Sequence, residues 1–169
     1  MHNNTVELAP AVSLQPTVAL LPTALVKIVC HNRSFKVRAV VDSGVPHTKI
    51  STKLVEKLRL ATTTIAERMT CSFTLKGTQR SSDSLDVVAR VGHAFSIFTP
   101  PRTLDARIHE KVAGLVLADT AFHISGAVHL TLGMDVYARI MREGWQRCGD
   151  NLVAQYSIFG FLISGMCPL

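Results

Sequence analysis

The chain has 169 residues, of which 47% are hydrophobic and 18% are charged, and its formal net charge is +6. This composition excludes a disordered chain and is sufficient for one domain with a sizeable core. The basic residues are scattered and have few aromatic neighbours, so we attribute the charge to solubility and expect no specific nucleic-acid partner.

The N-terminal segment is apolar but does not have the features of a membrane span. Residues 8–26 carry no charge, yet three prolines interrupt them and would break a helix. The segment also lacks the basic start and compact apolar block of a signal peptide. We therefore predict an extended arm over residues 1–20, one folded domain over residues 21–169, and no membrane contact.

The four cysteines are spread along the chain with no C-x-x-C pair and no Cys/His pair at zinc-finger spacing, at Cys30, Cys71, Cys148 and Cys167. This spacing predicts neither a metal site nor a disulfide framework. We expect free thiols in a reducing compartment, which favours a cytoplasmic location.

A β-hairpin is predicted at the start of the folded domain. Apolar and polar residues alternate on both sides of a turn at residues 31–34, which is the pattern of two half-buried strands. The second strand ends at Asp42.

The middle of the chain predicts a short helix and then a second hairpin. Residues 51–59 place apolar side chains at helical spacing after a possible serine or threonine cap. Residues 65–97 return to strand-like alternation, and polar residues 76–84 predict an exposed, mobile hairpin tip.

The last third of the chain adds short strands and one more helix. We predict buried strand pieces in residues 112–123 and 128–136, a helix over 135–143 that Asp135 caps and Gly144 stops, and a terminal strand in 154–165. The expected fold class is therefore all-β with two short helices.

Asp42 stands at the end of a run of small apolar residues and directly before Ser43 and Gly44. A carboxylate in apolar surroundings is penalised unless it is hydrogen-bonded, paired or protonated. The tripeptide fits an ordinary turn, because aspartate, serine and glycine are common turn residues. It also fits a catalytic loop.

Four elements in order resemble the retropepsin-like aspartic protease domain of Pao-type (Bel/Pao) LTR retrotransposon polyproteins. They are VVDSG at 40–44, LAD at 117–119, LTLGMDV at 130–136 and IFGFLISG at 158–165. The resemblance covers residues 21–165 and implies the single-lobed acid-protease barrel of the retropepsins. It also implies an aspartic endopeptidase that cleaves extended segments of a polyprotein and needs no cofactor and no metal.

The resemblance assigns roles to individual residues. Asp42 would be catalytic and would pair with its own copy across a homodimer, because the chain has only one such motif. Ser43, Gly44 and Gly133 would support the active-site loop. A substrate-covering flap would contain the remaining assigned residues, which are Leu75, Lys76, Gly77 and Thr78.

Two departures from the family pattern keep a second function open. Val45 stands where the family usually has serine or alanine, and the predicted flap contains only Gly77 as a glycine. The alternative is a catalytically silent, domesticated retropepsin-like domain that serves dimerisation or peptide binding.

The other polar candidates are less suited to chemistry. His47 follows Asp42 by five residues but belongs to no nucleophile-elbow pattern, so we expect a surface or structural histidine. His123 and His129 lack the spacing and the carboxylate companion of a zinc site. Asp119 is expected in a turn.

Overall fold

The computed structural model describes residues 16–79 and 83–169. The first half of this part holds β1 Thr17–Leu20, β2 Thr23–Cys30, β3 Arg33–Val41, β4 Lys49–Ser51, helix α1 Thr52–Leu58, β5 Thr63–Ile65, β6 Arg68–Gly77 and β7 Ser84–Gly92. The second half holds β8 Ile97–Thr99, a 3-10 helix Ala106–Val112, β9 Gly126–Val128, β10 Leu130–Leu132, helix α2 Met134–Ile140, β11 Met141–Arg147, β12 Leu152–Ser157 and β13 Gly160–Pro168. The predicted mainly-β class is confirmed, with three short helices among the described residues where two were predicted.

Six strands close into a β-barrel. Their order is β2, β3, β10, β4, β7 and β6, and pairing of β2 with β6 completes the ring. Inward-facing side chains such as Val26, Ile28 and Leu75 are fully buried and fill the barrel. Closure fixes where the loops between strands emerge, and one of these loops carries Asp42.

The predicted hairpin at the start of the domain is confirmed as β2 and β3. Its two-residue turn consists of His31 and Asn32, which have φ angles of 48° and 62°. Positive φ at both central residues is the geometry of a type I′ turn, whose twist matches that of the paired strands. The hairpin continues to Val41 and so delivers Asp42 at its end.

The first predicted helix is also confirmed, as α1. Ser51 caps it by accepting a hydrogen bond from the backbone N–H of Leu54 at 3.1 Å, and Arg59 ends it in the left-handed conformation.

The second predicted helix is shorter than expected. α2 ends at Ile140, and Gly144, the predicted helix stop, lies instead in the irregular stretch of β11 with a φ of 133°. Pairing of β11 with β12 overrides the helical pattern there. The N-cap position belongs to Gly133, so the prediction that Asp135 caps the helix is wrong.

Two strand predictions in the last third are wrong. Residues 112–123 form no strand, and only Leu117 makes an isolated bridge, to Phe161. The predicted single terminal strand is a hairpin of β12 and β13. The Ser157 hydroxyl stabilises its turn by donating to the Gly160 carbonyl at 2.7 Å and accepting from the Phe159 N–H at 3.1 Å.

A second sheet has the strand order β1, β13, β12, β11. Its core is a separate cluster in which Leu20, Phe122, Leu152 and Ile163 are buried. The strand β1 is the last part of the predicted N-terminal arm, and residues 1–15 of that arm lie outside the described residues.

Each helix in the described part of the chain has seven residues, too few to cross a bilayer.

Candidate functional site

Asp42 begins the loop that joins β3 to β4. The strands β3 and β10 run parallel and end side by side, with Val41 opposite Leu132. The Asp42 N–H donates to the Leu132 carbonyl at 2.9 Å, and the Asp42 carboxylate accepts from the Gly44 N–H at 2.9 Å. The backbone of the loop thus starts in a fixed place, while the Asp42 side chain is exposed to solvent.

The Asp42 side chain lies in the wall of a cleft of about 370 Å³. Beside Asp42 and Ser43 the cleft is lined by Leu21, Pro22, Val40, Val41, Tyr137, Gln155 and Ser164. These residues come from the barrel, from α2 and from the second sheet. Asp42 therefore lies on a concave surface, and it is the only carboxylate among the described residues that line this cleft.

Gly133 packs directly beneath the Asp42 loop. A Cβ atom at this position would lie 2.7 Å from the carbonyl oxygen of Val45 and 2.8 Å from the carbonyl carbon of His47. Both are backbone atoms, which cannot rotate away as a side chain would. The Met134 N–H also donates to the Val45 carbonyl at 2.7 Å. The structure thus brings Gly133 and the Asp42 loop together, whereas Val45 and His47 do not line the cleft.

A side chain at Gly44 would disturb the carboxylate. A Cβ there would lie 3.1 Å from Asp42 Oδ1, the oxygen that accepts the Gly44 N–H. The glycine therefore permits the short turn that orients Asp42.

The four residues assigned to a flap do not line the Asp42 cleft. Leu75 is fully buried in the barrel opposite Ile28, and Gly77 is buried opposite Val26. Lys76 is exposed on the outer face, and the Thr78 hydroxyl donates to the Leu25 carbonyl at 3.5 Å. The predicted hairpin tip includes residues 80–82, which lie outside the described residues.

A different hairpin is exposed on both faces. Every residue from Ala61 to Met69 is exposed, and Ala66 and Glu67 form its turn with φ angles of 48° and 64°. The strand-like alternation over residues 65–97 did not distinguish this hairpin from the one that follows it. The hairpin joins the barrel at Thr70 of β6, which pairs with Arg90 of β7. Arg90 also pairs with Lys49 of β4, and Lys49 directly follows the Asp42 loop. Ile65 and Met69 leave half of their surface in solvent.

Asp119 is more than a turn residue. Its carboxylate accepts from the Ala121 N–H at 2.9 Å, as in the predicted turn, but it is also buried and pairs with the Arg38 guanidinium at 2.8 Å. The Thr23 hydroxyl donates to it at 2.8 Å. This network fastens the loop before β9 to the barrel, so we regard Asp119 as structural.

The histidines form two separate contacts. His109 Nε2 and His123 Nδ1 are 2.9 Å apart, and His129 Nδ1 is 2.8 Å from the Ser51 hydroxyl, which is buried and engaged in capping α1. Burial lowers the pKa of both His123 and His129 from the ordinary value of 6.5. No group of three or more potential metal ligands occurs in residues 16–79 and 83–169.

Asp42 is a single carboxylate in the described lining of its cleft. Among the described residues that line the cleft there is no second acid, so acid–base chemistry with two carboxylates would need another copy of the loop. Neither the known protein families nor the curated proteins include a match to this chain.

Proposed function

We propose that the chain is an aspartic endopeptidase that acts as a homodimer and cleaves extended segments of a retroelement polyprotein. One observation carries the proposal: Asp42-Ser43-Gly44 forms a loop supported by Gly133, and that loop presents Asp42 in a cleft whose described lining includes no other carboxylate. The resemblance of four sequence elements to the Pao-type retropepsins supports the same function and the corresponding barrel.

The chemistry would need two copies of Asp42. A two-fold axis through the cleft mouth would bring Asp42 of one protomer to the partner subunit's Asp42, and two carboxylates at close range share one proton because they cannot both ionise. The ionised carboxylate would then take a proton from water as that water attacks the scissile carbonyl. The protonated carboxyl would donate to the carbonyl oxygen. No metal or cofactor is needed for these steps.

The second residue of the motif would link the protomers. Ser43 is exposed and lines the cleft next to Asp42, so its hydroxyl is available to a facing loop. We propose that the exposed end of the β5–β6 hairpin, residues 61–69, contacts the substrate, rather than Leu75–Thr78. A cytoplasmic location remains part of the proposal, and all four cysteines are free thiols.

A catalytically silent peptide-binding or dimerisation domain is the second candidate. It is favoured by the observation that none of the four residues expected in a flap lines the cleft. Such a domain would keep the fold and the dimer but would not need the Asp42 carboxylate.

The two candidates differ in their response to Asp42→Asn. For the protease we expect cleavage of an extended peptide library at about pH 5 to 6 by the wild type, and loss of cleavage by at least about a thousandfold in Asp42→Asn. Asp86→Asn is the matched control, because Asp86 is an exposed carboxylate on β7 outside the cleft.

Sedimentation of the same three proteins measures the dimer. We expect Asp42→Asn to sediment as the wild type does. Equal cleavage by wild type and Asp42→Asn would reveal a contaminating protease and contradict the proposal. A stable dimer without any cleavage would favour the silent domain.

A further inference from the structure

Thr48 closes the Asp42 loop by binding a carboxylate that is distant in sequence. Its backbone N–H donates to both oxygens of Asp135, at 3.0 and 3.1 Å, and its hydroxyl donates to Asp135 Oδ1 at 2.7 Å. Hydrogen bonds to an ionised acceptor are about twice as strong as neutral ones. Asp135 follows Thr48 by 87 residues, so this contact joins two separate parts of the chain.

The Thr48 hydroxyl has a second partner. It accepts a hydrogen bond from the Gly133 N–H at 3.1 Å, and Thr48 is completely buried. The hydroxyl therefore donates one hydrogen bond to Asp135 and accepts another from Gly133. Its removal would leave the buried Gly133 N–H without a partner.

Residues 132–135 also make backbone hydrogen bonds to the start of the Asp42 loop and to Pro46. The Leu132 carbonyl accepts from the Asp42 N–H at 2.9 Å, and the Pro46 carbonyl accepts from the Asp135 N–H at 3.3 Å. Residues 42–48 are thus attached to residues 132–135 at both ends. Among the described residues, the side-chain hydrogen bonds between these two segments are made by Thr48 and Asp135.

We propose that Thr48 and Asp135 are positioning residues for Asp42. Their hydrogen bonds hold the loop against α2 so that the Asp42 carboxylate keeps the place that the reaction requires. The catalytic part of this inference rests on the proposed protease function. The structural part, that the pair fixes the geometry of residues 42–48, does not.

The test uses isosteric changes at both residues. Thr48→Val keeps the shape and removes the hydroxyl, Thr48→Ser keeps the hydroxyl, and Asp135→Asn removes the charge and one acceptor. The matched controls are Thr74→Val and Asp86→Asn, because the Thr74 hydroxyl donates to Asp86 at 2.9 Å in the hairpin of β6 and β7, outside the cleft. The controls therefore remove a threonine-to-aspartate hydrogen bond from an exposed place outside the cleft.

For the cleaving enzyme we expect Thr48→Val and Asp135→Asn to lower kcat by about 10- to 100-fold, since a displacement of about 1 Å can cost that much. KM should change less than threefold, and Thr48→Ser should recover most of kcat. Loss of kcat by the two controls to the same extent would show that the effect is general destabilisation and would overturn the inference.

Hydrogen exchange separates this inference from the proposed function. In Thr48→Val and Asp135→Asn, the amides of residues 42–48 should exchange at least tenfold faster than in the wild type, while the amides of β2 stay protected. This readout applies whether or not the wild type cleaves peptides. Unchanged exchange in residues 42–48 would overturn the positioning role, whereas absence of cleavage by the wild type would refute only the protease. If Thr48→Val does not fold, Asp135→Asn tests the same contact from its other side, against the same controls.

Discussion

At the scale of single residues, the Asp42 loop depends on the absence of side chains at two positions. A Cβ atom at Gly44 would lie 3.1 Å from an Asp42 carboxylate oxygen. A Cβ atom at Gly133 would lie 2.7 Å from the backbone of the loop. The glycine in Asp-Ser-Gly is visible in the sequence as part of a motif. The need for Gly133 arises from a contact with a loop more than 80 residues earlier, which no local pattern reveals.

Gly133→Ala should destabilise the protein by about 1–3 kcal/mol, the usual cost of overpacking. The added methyl group would meet the Val45 carbonyl oxygen at 2.7 Å and the His47 carbonyl carbon at 2.8 Å, and these backbone atoms cannot rotate away. Gly126→Ala is the control, because the nearest atom to its Cβ would be Arg38 Nη1 at 3.8 Å. The midpoint of urea unfolding measures both variants. Equal midpoints would show that the loop moves away without cost.

At the scale of elements, local signals predicted those elements whose structure is decided locally. Alternation of apolar and polar residues predicted β2 and β3, and helical spacing after a serine cap predicted α1. The predictions failed where distant pairing decides the outcome. β11 replaces the last turn of α2 because it pairs with β12, and Ser157 and Gly160 divide an apolar run into two strands.

The hairpin of β5 and β6 gives a prediction at this scale. If it covers the substrate, Ile65→Ser and Met69→Ser should raise KM by roughly tenfold, because partly burying such a side chain is worth about 1–2 kcal/mol. Their free energy of unfolding should change little, since the two side chains are 54% and 50% exposed.

The control for this hairpin is Val88→Ser, which alters a side chain that is 52% exposed on β7. Steady-state kinetics on one peptide would compare the three variants. A KM in Ile65→Ser and Met69→Ser no higher than in Val88→Ser would mean that the hairpin does not touch the substrate.

At the scale of the whole molecule, the acidic pH at which two carboxylates would share a proton is a pH at which the fold loses stability. Burial lowers the pKa of His129, and Lys53 and Lys57 lower it further. Burial also lowers the pKa of His123, with contributions from His109 and Arg38. As the pH falls below about 6.5, the unfolded chain takes up these protons before the folded chain does. Stability is therefore present above this pH and is lost as the pH falls towards the lowered values.

His129→Gln should make the fall of Tm between about pH 7 and about pH 5 less steep. Glutamine carries no proton-dependent charge and keeps a hydrogen-bonding group at the end of its side chain. His93→Gln, at an exposed histidine on the loop after β7, is the control. Thermal unfolding followed by circular dichroism at several pH values gives the slopes. A slope in His129→Gln that matches the wild type would assign the loss of stability to other groups.

The second sheet determines how copies of this chain could add to one another. In the described part of the chain, β1 and β11 each pair with one neighbour only, so they are the two edge strands of the sheet. Contact of β1 with β1 of another copy would obey a two-fold rotation and stop at two chains. Contact of β1 with β11 would be head-to-tail and would add further copies, as a closed ring or as a filament. The pairing of β11 is irregular between Met141 and Trp145, and a strand with an interrupted ladder is a poor template for the repeating arrangement.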